Sequence, residues 1–253
     1  MRQACPNSIG AEYLAATTTP WDIGALRAIV EKRLRESSSG GGDSSTGSPA
    51  CTKRLVAATS ASPPYCVLHL RVGDVLENGQ LGHPAASNAM KQSNAAELFW
   101  QNATEWTKGI GVYSRPKSHY EYWSPALRNA TNNASGPIVL VGNLAAGEMF
   151  RASASKNTSK TQSRKYVELV ERFFEEQHFR VQTELSDTAQ DSRCHTADCD
   201  FVRMAAAPCF APAGGGFSRL IADVVAARGG RVIGVAGATA IAKWSKLGSS
   251  THA

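Results

Sequence analysis

Five short segments with strand-like sequences constrain the fold of this chain most strongly. The runs CVLHLRV (66–72) and PIVLVGN (137–143) have the length and composition of buried strands. Three further segments are interpreted in the same way: 179–185, 209–213 and 231–237. Helical patterns between strands cover 161–178, 200–207 and 217–228. Strands that alternate with helices predict an α/β fold with a Rossmann-like parallel sheet and helices on both faces.

The chain divides into three predicted regions. Residues 1–36 form a helical segment, whose helix is expected to be capped by Thr19 and to begin at Pro20. Residues 37–64 form a flexible linker or loop, because ten of the 14 residues at 37–50 are Ser or Gly. Residues 65–245 form the Rossmann-like domain. Within it, 77–135 is polar and rich in Gly, Pro and Asn, and we expect long loops with short helices there.

Composition narrows the class of protein. Hydrophobic residues make up 42% of the 253 residues, which is enough apolar material for a sizeable core. No apolar stretch approaches the ~20 residues of a membrane-spanning helix. The formal net charge of +6 favours anionic partners such as a nucleotide diphosphate. The absence of any block of like charges in the sequence argues against nucleic acid as a partner.

The first candidate site motif follows the strand at 66–72. Its residues are His69-Leu70-Arg71-Val72-Gly73-Asp74. His69 and Arg71 share one face of the strand because side chains alternate along it. A guanidinium at a strand end is suited to bind a diphosphate through two hydrogen bonds. The alternative is an Arg71–Asp74 pair that only closes the turn.

The second candidate site motif follows the strand at 209–213 and opens a helix. It consists of three glycines and a polar turn: Gly214, Gly215, Gly216, Phe217, Ser218 and Arg219. Glycines allow a ligand to approach the backbone, and the N–H groups and dipole of a helix start favour an anion. The motif lacks the G-x-x-x-x-G-K-S/T pattern of nucleoside triphosphatases. The alternative is an ordinary tight turn between strand and helix.

Together the two motifs resemble the inverting fucosyltransferase superfamily, which includes α1,2-, α1,6- and protein O-fucosyl branches. The first motif is similar to the family's H-x-R-x-G/T-D segment. The second, with Asp200-Phe201-Val202-Arg203-Met204 before it, is similar to the family's downstream Asp-Phe-x-x-Met…Phe-Ser segment. The resemblance covers residues 65–235. It implies a GT-B glycosyltransferase fold, of which 65–245 is the donor-binding half and 1–36 a remnant of an acceptor domain.

The resemblance also implies roles for individual residues. Arg71 would hold the β-phosphate of GDP-fucose and stabilise the leaving diphosphate, and Asp200 would contact the base or ribose. The implied donor-binding set is His69, Arg71, Gly73, Asp200, Phe201, Gly214, Gly215, Gly216, Phe217, Ser218 and Arg219. Arg71 and Asp74 are the candidate catalytic residues, Asp74 either as the base for an acceptor hydroxyl or as the group that orients Arg71. The family is metal-independent, so the resemblance implies no metal and no cofactor besides the donor.

The predicted function is therefore metal-independent, inverting transfer of fucose from GDP-fucose to a hydroxyl of a glycan or glycoprotein. The alternative is a non-catalytic module that binds a sugar nucleotide or a glycan. The aromatic residues at 100–123 are interpreted either as a sugar-stacking surface or as anchors that pin loops to the core. The family resemblance implies the secretory pathway if an anchor precedes the chain.

The cysteines and glycosylation sequons bear on the compartment. The six cysteines are compatible with disulfides in an oxidising compartment. Cys194, His195 and Cys199 have a loose spacing for zinc, and a small disulfide loop or free thiols are favoured over a metal site. Four N-x-S/T sequons, at Asn102, Asn129, Asn133 and Asn157, point weakly to the secretory pathway.

Overall fold

The computed structural model describes Tyr13 and residues 22–38, 64–72, 99–100, 115–144, 161–186 and 193–234. Helices and strands alternate along most of this part of the chain. In chain order they are α1 (Ile23–Ser38), β1 (Cys66–Leu70), α2 (Lys117–Ala130), β2 (Pro137–Asn143), α3 (Thr161–Glu176), β3 (Arg180–Ser186), α4 (Arg193–Ala206), β4 (Cys209–Ala211), α5 (Gly216–Ala227) and β5 (Arg231–Val232).

The described strands form one parallel sheet in the order β3-β2-β1-β4-β5. This arrangement confirms the predicted Rossmann-like α/β architecture. Strand β1 lies at the centre, where Val67 is paired with Val139 of β2 and with Phe210 of β4. All five predicted strands occur close to their expected positions. The fifth is shorter than predicted, because Ile233 and Gly234 lie beyond its end; residues 235–237 lie outside the described residues.

Each face of the sheet packs against its own helices. Leu68 and Leu70 of β1 face one apolar core, which α2 and α3 complete. Val67 faces the opposite core, which is formed with α1, α4 and α5. Both faces of the sheet are therefore buried at its centre, which explains why β1 and β2 are almost continuously apolar, whereas the edge strand β3 is not.

Helix α1 begins later in the sequence than predicted. Its first residue is Ile23, and the Asp22 carboxylate accepts a hydrogen bond of 3.0 Å from the Ala25 N–H. Asp22 therefore caps the helix in the manner typical of a short acidic side chain, and the prediction of a start at Pro20 was wrong. Leu26 and Val30 of α1 are buried in the core shared with α4 and α5. Residues 39–63 of the predicted linker lie outside the described part, and the domain boundaries stay a prediction.

Helix α2 corrects the prediction of loops and short helices at 77–135. It has 14 residues, and its buried positions Tyr120, Trp123, Ser124 and Leu127 follow a helical spacing. Pro125 lies inside the helix on its exposed side. A proline in a helix removes a backbone donor, and the surrounding polar residues favour loops, so local composition obscured this periodicity.

A disulfide joins the first residues of β1 and β4. Cys66 and Cys209 are fully or almost fully buried, and the register of the two strands places them opposite each other. Cys199 is also disulfide-bonded, which removes its thiolate from the candidate zinc ligands. The Cys66–Cys209 bond lies at the amino end of the sheet and holds together its two central strands.

Removal of this bond should destabilise the fold. The double variant Cys66→Ala/Cys209→Ala lacks the bond and leaves no unpaired thiol at either position. Because 143 residues separate the two cysteines, the chain-entropy model predicts a loss of about 5 kcal/mol in the free energy of unfolding. Urea denaturation at pH 7 measures this difference. The single variant Cys66→Ala should lose a similar amount, whereas a double variant as stable as the wild type would contradict the prediction.

Candidate functional site

The candidate site lies at the carboxyl ends of β1 and β4. These strands are neighbours in the sheet, and in the described part of the chain α2, after β1, and α5, after β4, pack on opposite faces. Such a point in the strand order leaves a crevice between the two connections, and ligands of open parallel sheets bind there. Both motifs singled out in the sequence follow these two strands.

The two motifs meet through a hydrogen bond between His69 and Ser218. The distance from His69 Nδ1 to Ser218 Oγ is 3.0 Å, although 149 positions separate the residues. His69 is on the face of β1 that packs against α5, and Ser218 is the third residue of that helix. Both side chains are buried. The bond therefore ties the first turn of α5 to the end of the central strand.

Burial determines the protonation state of His69. Loss of solvent around the imidazole, reinforced by the nearby Arg71 charge, lowers the pKa of His69 from 6.5 to about 4. The ring is therefore neutral at pH 7, and its Nδ1 shares one hydrogen bond with the Ser218 hydroxyl. His69 therefore ties α5 to β1 without supplying a positive charge.

The same geometry argues against a serine nucleophile at this site. Ser218 is completely buried, so a substrate carbonyl has no access to its hydroxyl. A general base must accept a proton, and Arg71 together with burial disfavours the imidazolium form of His69. The hydroxyl of Ser218, a member of the implied donor-binding set, is bonded to His69 in this structure.

The glycine turn after β4 has the backbone geometry of an open helix start. Gly215 has φ 95° and ψ 165°, a conformation that is available almost only to glycine, and it directly precedes α5. Arg219 N donates to Gly215 O at 3.2 Å. The backbone N–H groups of Gly216, Phe217 and Ser218 precede it along the chain and form the first turn of α5. Apart from its own chain neighbours and helix backbone, a Cβ built on Gly216 would meet no heavy atom of the described residues within 4 Å. The turn therefore leaves room beside backbone donors.

The ring of Phe217, in the second motif, packs against the ring of His69, in the first motif. Its side chain is 40% exposed, and its ring centroid lies 5.9 Å from that of His69 and 6.0 Å from that of Phe201. Phe201 itself is buried. Of the two predicted donor-binding phenylalanines, Phe217 thus presents a partly open ring, whereas Phe201 supports it from the core.

Arg203, from the Asp200–Met204 segment, has a structural partner. Its guanidinium is buried and forms a two-pronged ion pair with the Glu184 carboxylate on β3. This pair fastens α4 to the edge strand. Asp200 lies half-buried on the same helix.

Of the charged residues predicted at this edge of the sheet, the structure describes Arg71 and Arg219 but not Asp74. Arg71 directly follows β1 and is half-buried, and Arg219 is exposed in the first turn of α5. Gly73 and Asp74 lie outside the described residues. The candidate base and its relation to Arg71 therefore stay predictions.

Sequence reasoning missed the basic residues at the start of α2. The backbone of Arg115 is held by Tyr166, whose hydroxyl accepts from Arg115 N at 2.8 Å and donates to Arg115 O at 2.6 Å. The Arg115 guanidinium lies over the Trp123 ring at 5.8 Å, and burial lowers the pKa of Arg115. His119 packs edge-on against the same ring, with its pKa lowered by burial and then by Arg115. No local motif marks this cluster, because Tyr166 comes from a different helix.

The aromatic residues predicted to stack sugars or anchor loops separate into two groups. Tyr120 and Trp123 are buried in the core, as anchors would be. Trp100 is 60% exposed and Tyr122 is 80% exposed. Trp106 and Tyr113 lie outside the described residues.

Comparison of the chain with protein families, curated proteins and solved structures finds no match. Among the residues that the structure describes, no helix is long and apolar enough to span a membrane. The site is therefore interpreted from its own geometry.

Stability should fall on acidification because of His69. Since the folded-state pKa of His69 is about 4 and its unfolded value is 6.5, only the unfolded chain gains this proton between those two values. The contribution is complete above pH 6.5, and about 3 kcal/mol is lost as the pH falls to 4. The variant His69→Asn places a neutral amide near the Nδ1 position and does not titrate.

Urea denaturation of both proteins at several values between pH 7.5 and 4 tests this expectation. The stability advantage of the wild type over His69→Asn should shrink as the pH decreases. Parallel pH profiles for the two proteins would show that His69 is not buried in its neutral form.

Proposed function

We propose that the chain binds the diphosphate of a nucleotide sugar at the carboxyl ends of β1 and β4. The observation that carries this proposal is the meeting of the two motifs through the 3.0 Å contact between His69 and Ser218. That contact places the start of α5 beside the strand that leads to Arg71. A cation and a helix start at one crevice provide two independent attractions for a diphosphate.

The proposed reaction is metal-independent, inverting transfer of fucose from GDP-fucose to a hydroxyl of a glycan or glycoprotein. The bond between the sugar C1 and the phosphate oxygen breaks, and a bond from C1 to the acceptor oxygen forms. GDP leaves with the electron pair, and the acceptor proton passes to a base, for which Asp74 is the sequence candidate. The fucosyl specificity rests on the resemblance of the two motifs.

The site residues would act on the leaving group. Negative charge on the diphosphate grows as the C–O bond breaks, so donors fixed before the reaction stabilise the transition state more than the ground state. Arg71 supplies charge, and the backbone N–H groups at Gly216 and Phe217 supply oriented dipoles. His69 and Ser218 hold these donors in place, while the open ring of Phe217 offers a surface for the base or sugar.

Calorimetric titration with GDP, without added metal, tests the donor site. Wild type should bind GDP in preference to UDP, CMP and ADP, and Arg71→Ala should weaken binding by about 10- to 100-fold, the value of one or two charge-assisted hydrogen bonds. Arg180→Ala is the matched control, because it removes the same charge from an exposed position at the amino end of β3. Its affinity for GDP should equal that of the wild type.

The other outcomes of this titration are equally informative. Preference for UDP would keep a nucleotide-sugar site but overturn the fucosyl assignment. Selective GDP binding without transfer to any glycan or glycoprotein acceptor would favour the non-catalytic binding module. A folded chain that binds none of the four nucleotides would overturn the proposal.

A second test uses two adjacent glycines. Gly216→Ala should leave the free energy of unfolding nearly unchanged, because its Cβ meets no described atom within 4 Å. The new methyl group would occupy the space proposed for phosphate, so GDP affinity should fall by about tenfold, or ~1.4 kcal/mol. Gly215→Ala should instead destabilise the fold by about 1–3 kcal/mol, because φ 95° strains any residue with a Cβ.

Urea denaturation and GDP titration of the same preparations separate the two effects. Unchanged GDP affinity in a stable Gly216→Ala variant would show that the turn does not hold the diphosphate.

A further inference from the structure

Two of the four N-x-S/T sequons lie in the part of the chain that the structure describes, and they differ in their surroundings. Asn129 is in the last turn of α2, and Asn133 is in the turn that leads to β2. Both asparagines are exposed. Their hydroxyl residues differ in burial, since Thr131 is fully buried and Ser135 is exposed, although each hydroxyl donates to a backbone carbonyl, Thr131 to Leu127 O and Ser135 to Asn132 O. Of these two sequons, the one at Asn133 has both its asparagine and its hydroxyl residue exposed, and the one at Asn129 does not.

The turn around Asn133 has a defined shape that does not depend on the Asn133 side chain. Asn132, Asn133 and Ala134 have φ values of 51°, 56° and 66°. Backbone bonds close the turn, with Asn133 N donating to Arg128 O at 2.8 Å and Gly136 N to Thr131 O at 2.9 Å. Within the described structure, no hydrogen bond uses the Asn133 amide side chain. A group attached there would leave the turn intact.

The disulfide between Cys66 and Cys209 indicates the compartment in which the chain folds. The bond is buried at the centre of the sheet, and Cys199 is disulfide-bonded as well. Disulfides form and persist in oxidising compartments and are rare where glutathione keeps thiols reduced. Asparagine glycosylation takes place on secretory proteins, at sequons in surface loops.

We infer that Asn133 is an N-glycosylation site. The co-reactant is an oligosaccharide carried on a lipid diphosphate. A bond forms between Asn133 Nδ2 and the first sugar's C1, the bond from C1 to the phosphate oxygen breaks, the lipid diphosphate leaves with the electron pair, and one amide proton is lost to base. The inference does not depend on the proposed donor site.

The position of Asn133 is compatible with a bulky glycan on the folded protein. The turn precedes Pro137, so it lies at the amino end of β2. His69 and Ser218 lie at the opposite, carboxyl edge of the sheet. A glycan at Asn133 therefore projects from the edge away from the candidate site, and it leaves the crevice open to a ligand.

Expression of the full chain behind a cleavable leader in a eukaryotic secretory host tests the inference. Peptide mapping should find a glycan on Asn133 that peptide-N-glycosidase removes. Asn133→Gln and Ser135→Ala should lose this glycan, whereas Ser135→Thr should keep it. Asn132→Gln is the matched control, since it changes the neighbouring asparagine of the same turn but leaves the sequon intact.

The same preparation reports whether the chain folded in the oxidising compartment. Non-reducing peptide mapping should recover the linked Cys66 and Cys209 peptides. An unmodified Asn133 in chains that contain this disulfide would overturn the inference. A glycan on Asn129 with Asn133 unmodified would overturn it as well.

Discussion

The pairing of β1 with β4 is the constraint on which the rest of the structure depends. The two strands bring together parts of the chain that are more than 140 residues apart, and they form the centre of the sheet. Their amino ends are joined by the bond between Cys66 and Cys209, and the carboxyl end of β1 is joined to α5, the helix after β4, by the contact between His69 and Ser218. A covalent bond thus holds one end of the pair, and a buried polar contact aligns the other.

The two edges of the sheet differ in what they contribute. At the amino edge, three arginines donate hydrogen bonds to backbone carbonyls at helix ends: Arg27 to Ala227, Arg228 to Ala205 and Arg128 to Gln177. Cations near helix C-termini are favourable because the carbonyls there carry partial negative charge. These contacts stabilise the helix C-termini at the amino edge, whereas the helix N-termini lie at the carboxyl edge, where we propose that the diphosphate binds.

The central strands β1 and β2 were predicted well because burial on both sides demands a nearly continuous apolar run, and such a run is visible locally. Helix α2 was missed, since Pro125 and the polar surroundings outweighed the spacing of Tyr120, Trp123 and Leu127. The start of α1 was misplaced for a related reason. Thr19 and Asp22 are both acceptable caps by residue type, and in the structure Asp22 caps the helix.

The residue types of the candidate site could be identified from the sequence, because a basic residue after a strand and glycines before a helix have direct chemical meaning. The arrangement of these residues in space could not be identified from the sequence. The contact between His69 and Ser218, the neutrality of the imidazole, and the burial of the Ser218 hydroxyl all follow from α5 packing against β1. Packing across 149 positions determines solvent exclusion, and solvent exclusion sets both the pKa of His69 and the accessibility of Ser218. Local patterns record neither quantity, since each depends on atoms from distant parts of the chain.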